Sequence, residues 1–168
     1  MKKTFFASLF ALLFAGYGNA QKVDNTPVAA LDLNKYLGDW YEIARFDHRF
    51  ERGLDFCKAK YVLCCGDKIN VVNTGIKNGE PKTANGKAKT TDTPALLRVS
   101  FFGPFYSDYR VMMLDADYQW ALIGSKSAKY LWILSRTPEL PKETLDTILS
   151  EAQRRGYDTS KLIWVKQK

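Results

Sequence analysis

The chain has 168 residues, a formal net charge of +7 and 46% hydrophobic residues, enough for one domain with its own core. Its 25 Lys and Arg residues are scattered without a dense basic block, which argues against a nucleic-acid partner. A single histidine leaves too few bases and ligands for a classical triad or zinc enzyme.

Residues 1–20 read as a secretory signal peptide: Lys2 and Lys3 form a basic start, residues 5–14 are apolar, and Gly18-Asn19-Ala20 is a small-residue cleavage site. The apolar run is too short to span a bilayer, which takes roughly 20 residues. Gln21 follows the cleavage site, so no lipid-attachment Cys is expected there. The expectation is an exported protein, periplasmic or secreted, with one domain over 21–168.

Residues 31–37 suggest a short helical turn. From Trp40 the pattern is β: strands are expected over 40–46, 57–65, 69–76, 95–102, 109–114, 120–124 and 130–135. Residues 82–90 are polar and carry Gly86, but their place in the series makes them a solvated strand. Gly66-Asp67, Lys77-Asn78-Gly79, Asp92-Thr93-Pro94 and Gly103-Pro104 supply turns. Eight short strands with short links predict a sandwich or an up-and-down barrel. The period then changes. Leu145, Ile148, Leu149 and Ala152 have helical spacing, with Pro141 at the start, Glu143 in the first turn and Gly156 at the end. This helix should flank the sheet, and residues 161–165 read as a last edge strand.

Cys57, Cys64 and Cys65 are expected on one strand. At roughly 3.3 Å per residue, Cys57 and Cys64 would stand about 23 Å apart, beyond disulfide reach. No intramolecular disulfide is expected. There is no Gly-x-Ser-x-Gly elbow, phosphate loop or dinucleotide fingerprint. No catalytic residue, metal or cofactor is therefore assigned. Cys57 is the residue to suspect if the scaffold carried an enzyme.

Gly38-Asp39-Trp40 near the start, Asp115-Ala116-Asp117-Tyr118 at a tight turn, and Arg136 near the end resemble the three motifs of the lipocalin family. Residues 40–54, 99–106 and 130–138 resemble bacterial outer-membrane lipocalins, relatives of apolipoprotein D, almost throughout. The resemblance implies an eight-stranded antiparallel β-barrel closed at one end by Gly38, Trp40 and Arg136, with one flanking helix. It also implies a lipid-binding carrier or scavenger of the cell envelope, holding a fatty acid or lysophospholipid. Those relatives are typically anchored through a Cys after the signal, where this chain has Gln21. Enzyme and protein-interaction roles on the same scaffold are the alternatives.

Strand alternation sets out a pocket. If Trp40 points inward, so do Glu42 and Ala44. Tyr61, Leu97 and Val99, Tyr109, Val111 and Met113, Trp120, and Trp132 follow on later strands, alongside Ala59, Leu63, Leu122 and Leu134. A one-residue slip would reverse any of these faces. The strand order puts the loop 47–55, the turn 103–106 and the link 125–129 at the open end. Arg49 and Arg52 on that loop can receive a lipid carboxylate or phosphate, or pair with Asp47, Glu51 or Asp55. Phe102, Phe105 and Tyr106 offer contact with a membrane, a second subunit or the ligand, or fold inward over the cup.

Overall fold

The computed structural model describes residues 22–66 and 68–167, so the expected signal peptide lies outside the described residues. A one-turn helix α1 (Leu33–Tyr36), capped by the Asp32 side chain, leads into β1 (Gly38–Phe46). There follow β2 (Asp55–Leu63), β3 (Lys68–Lys77), β4 (Glu80–Lys89), β5 (Leu96–Phe102), β6 (Phe105–Leu114), β7 (Trp120–Gly124) and β8 (Leu131–Ser135). Then come α2 (Lys142–Arg154) and β9 (Leu162–Trp164). Each strand pairs antiparallel with the next, β8 pairs with β1, and β1 pairs with β2, which closes an eight-stranded barrel. Outside this ring β9 adds to β1 at Ala44, Arg45 and Phe46.

The polar segment after residue 80 forms a full strand. Asn78 and Gly79 both take positive φ, the geometry of a tight hairpin turn, and ten consecutive pairs then run from Lys77–Glu80 to Lys68–Lys89. The turn fixes a register that the polar side chains could not fix alone. Elsewhere the bounds move. β6 begins at Phe105, four residues before the alternation becomes apolar, because Phe105 pairs with Phe102 across the turn. β2 ends at Leu63, so Cys64 and Cys65 lie past it and are exposed, while Cys57 is buried within it. The three cysteines do not share one strand.

Two apolar clusters occupy the two faces of the sheet. The inner one joins Tyr36, Trp40, Tyr61, Ile69, Val71, Leu97, Val111, Ala121, Ile123 and Leu134. The outer one packs Ala44, Met112, Leu122, Ile133 and Tyr157 against Ile148 and Ala152 of α2. Pro141 precedes α2, and Gly156 follows its C-cap at φ 90°. Ile148 and Ala152 are fully buried, as the 3.6 period predicts.

Two β-bulges correct the expected faces. One lies between Glu42 and Ala44 on β1, the other between Val111 and Met113 on β6. An extra residue at a bulge reverses the alternation beyond it. Ala44 and Met113 therefore pack outside, in the cluster under α2. Trp120 and Leu122 follow them: β7 takes its phase from β6, with Met113 paired to Leu122, so Ala121 and Ile123 face inward instead. Leu63 is also exposed, beyond the core.

Candidate ligand-binding barrel

The floor is built around Trp40. Its ring is fully buried, and its indole N–H donates to the Tyr36 carbonyl at 2.8 Å. The Arg136 guanidinium lies 3.7 Å from the ring centroid. From there it donates to the carbonyls of Asp39, Lys35, Tyr36, Leu37 and Tyr118. One cation thus ties the lead-in segment, β1 and the β6–β7 turn together. Gly38 has φ 97°, and a Cβ there would sit 3.4 Å from Arg136 Nη1. The Asp115 carboxylate shapes the β6–β7 turn by accepting from the Asp117 and Gln119 amides. Tyr118 completes the turn and accepts the Asp32 amide proton at 2.9 Å.

Above the floor stand three tyrosines. The Tyr36 and Tyr109 hydroxyls are 2.6 Å apart, and Tyr61 donates to the Tyr109 oxygen at 3.0 Å. Burial pushes all three phenols up, so they stay neutral. Tyr36 comes from α1, where no sequence period marks it as part of the interior.

Nearer the mouth is a buried charged cluster that alternation alone would not assemble. Arg45 donates to Glu42 Oε1 at 2.6 Å, and both are almost completely buried. The same guanidinium holds the β1–β2 loop by donating to the carbonyls of Glu51 and Leu54. Glu51 accepts from the Trp132 indole at 3.1 Å and lies 2.7 Å from His48 Nε2. Burial, then the Glu51 charge, push the Glu42 carboxyl up to about 8 despite Arg45. For Glu51, burial is outweighed by His48, Trp132 and Arg45, which hold it below the usual carboxylate range. Burial and then Glu42 raise the Cys57 thiol to about 12. A protonated thiol is a poor nucleophile.

The inner wall gathers Trp40, Tyr61, Leu97, Val99, Tyr109, Val111 and Trp132 of the expected lining. Ala59, Val99, Phe101, Tyr109 and Trp132 pack on the inner cluster but are only half-buried. Side chains inside a closed barrel keep accessible surface when the space before them is unfilled. The inward residues of β4, Gly86 and Ala88, are small, and lie opposite Val71 and Ile69. A Cβ on Gly86 would meet the Phe101 ring at 2.7 Å. Asn73, paired with Ala59 and Ala84, has a buried Oδ1 without a hydrogen-bond partner, and Arg45 Nε is likewise unpaired.

Arg49 and Arg52 stand on the exposed rim. Arg52 is held by both carboxylate oxygens of Asp47, and Arg49 lies over the Phe50 ring at 4.7 Å. Open grooves of about 430 Å³ beneath α2 and about 300 Å³ at the closed end lie outside the barrel. Among the described residues, no three His, Cys, Asp or Glu side chains converge as a metal site.

Residues 31–167 match the family model of the lipocalin-like domain. The chain belongs to the lipocalin-like family. This lipocalin is 49% identical over 146 residues to the outer membrane lipoprotein Blc of Escherichia coli K12, covering 84% of this chain and 82% of that one. Blc of Vibrio cholerae is 45% identical, again over 84% of this chain and 85% of the relative. Mouse apolipoprotein D is 32% identical over 97% of this chain and 93% of its own. Among solved structures, insecticyanin of the tobacco hornworm superposes with a TM-score of 0.70 at 23% identity, covering 85% of this chain and 84% of that one. That likeness speaks for the fold alone. In this lipocalin the three motif residues meet: Arg136 lies over the Trp40 ring, and Gly38 packs beside its guanidinium.

Proposed function

We propose that this lipocalin is a lipid-binding carrier or scavenger of the cell envelope, holding the acyl chain of a fatty acid or lysophospholipid in its barrel. The observation that carries the reading is the half-buried inner wall above the buried Trp40 ring and its Arg136 contact. Tyr61, Leu97, Val99, Tyr109, Val111 and Trp132 would line the acyl chain. Glu42 and Arg45, with the unpaired Asn73 Oδ1 and Arg45 Nε, would face its polar end. Arg49 and Arg52 remain headgroup contacts at the rim. Arg52 must give up its Asp47 pair to act, so Arg49 is the readier of the two. The kinship with outer membrane lipoproteins supports a place in the envelope. A binding role is favoured over catalysis because burial keeps Cys57 protonated.

The test is a titration with lysophospholipids and fatty acids of graded length. Burial of each CH₂ stabilises by about 0.8 kcal/mol, or about fourfold in affinity, until the cup is full. Tightening with chain length is the expected result. Affinity independent of chain length would sink the reading.

A further inference from the structure

The open rim carries an apolar patch that the fold leaves uncovered. Phe50, Phe102 and Phe105 are 52%, 63% and 78% exposed. Phe50 belongs to the β1–β2 loop, while Phe102 and Phe105 face each other across the β5–β6 turn. The Phe50 and Phe102 rings meet at 5.8 Å, so distant parts of the chain make one surface. These rings do not fold inward over the cup. Tyr106 turns away, toward Lys87 and Lys89.

Cations share this end. Arg49 stacks on Phe50, and Lys126 and Lys129 are exposed on the β7–β8 connection. Among the described residues, Arg52 is matched by Asp47, whereas Arg49, Lys126 and Lys129 have no ion-pair partner. A second copy seated across a two-fold axis would set the patch against itself. Arg49, Lys126 and Lys129 would then face their own equivalents, which costs association free energy. An anionic lipid surface reverses that sign.

We propose that the open rim docks on an anionic bilayer. Phe50, Phe102 and Phe105 enter the headgroup–acyl boundary while Arg49, Lys126 and Lys129 meet lipid phosphates. The mouth then faces the leaflet, and a lipid can pass to the inner wall without crossing water. Docking is independent of what the interior holds.

The experiment is co-sedimentation of the protein, as purified from its producing cell, with vesicles of phosphatidylcholine alone or mixed with phosphatidylglycerol. Wild type should partition onto the mixed vesicles and be released by salt. F102S/F105S and K126Q/K129Q, which leave the proposed ligand contacts intact, should each lose about tenfold or more. All variants share one N-terminus, so the difference belongs to the rim. The altered side chains are exposed, and an unchanged melting curve verifies folding. Quenching by monomeric lysophospholipid reports separately on the interior. Equal partition of wild type and F102S/F105S would overturn the proposal, as would a wild type that ignores mixed vesicles. A dimer seen by sedimentation velocity and lost in F102S/F105S would assign the patch to a second copy instead.

Discussion

Glu42 and Arg45 lie three residues apart on one strand, yet their side chains meet at 2.6 Å inside the barrel. In a regular strand, residues three apart point to opposite faces. The bulge between Glu42 and Ala44 removes that opposition and brings a carboxyl and a guanidinium into one buried site. Arg45 then reaches the loop carbonyls of Glu51 and Leu54, so the pair also sets the shape of the mouth.

Removing the cation from this pair should be costly. Arg45→Met leaves Glu42 buried without its partner and frees the β1–β2 loop. The expected loss is about 2–4 kcal/mol, read by urea unfolding, because the Glu42 oxygen and the carbonyls of Glu51 and Leu54 lose their donor. Glu42→Gln should cost much less, because a neutral amide still accepts from Arg45. Equal losses for the two would show that the Arg45 donors to the loop carbonyls contribute little.

Stability should also depend on pH through Glu42. Its folded pKa of about 8 lies above the ordinary 4.5. Between those values the unfolded chain has released the proton and the folded chain has kept it, so stability falls as pH rises. The contribution is fully present below about 4.5 and lost once pH passes about 8. Glu42→Gln should flatten this part of the pH–stability curve measured by chemical denaturation. An unchanged slope would place the titration elsewhere.

The floor should respond to geometry as well as charge. Arg136→Ala loses the stacking on Trp40 and the donors to five carbonyls, for about 2–4 kcal/mol. Arg136→Lys keeps the charge but not the planar fork, and should recover less than half of that. Thermal melts of the three proteins measure the difference.

Trp132 and Trp120 should separate the two faces of the sheet. Trp132 lies on the inner wall and Trp120 in the outer cluster. Trp132→Phe should abolish most of the fluorescence response to an acyl ligand, while Trp120→Phe should retain it. The reverse outcome would put the ligand under α2.

Gly86 should be hard to replace. A Cβ there falls 2.7 Å from the Phe101 ring, and overpacking of this kind costs about 1–3 kcal/mol. Phe101→Leu combined with Gly86→Ala should recover part of the loss in a double-mutant cycle. Additive losses would mean that the two positions do not share this space.

Much of this was legible in the chain itself. Strand order follows from alternating apolar residues separated by turn signals, and α2 from its 3.6 period. The lipocalin motifs single out Gly38, Trp40 and Arg136, and the structure brings those three residues into contact. Even the polar β4 was readable, because Asn78-Gly79 commits the chain to a hairpin. These features are local, or rest on a few distinctive side chains.

What the sequence by itself determined is therefore the number and order of strands and the helix. The tertiary structure alone decided which side chains look inward beyond the bulges on β1 and β6. It sent Ala44, Met113 and Trp120 outside, and brought Arg45 in beside Glu42. The reason is physical. Alternation specifies a face only while the pleat is unbroken. An inserted residue is set by closure of the ring and by the packing of α2, so no short stretch of sequence records where the phase reverses.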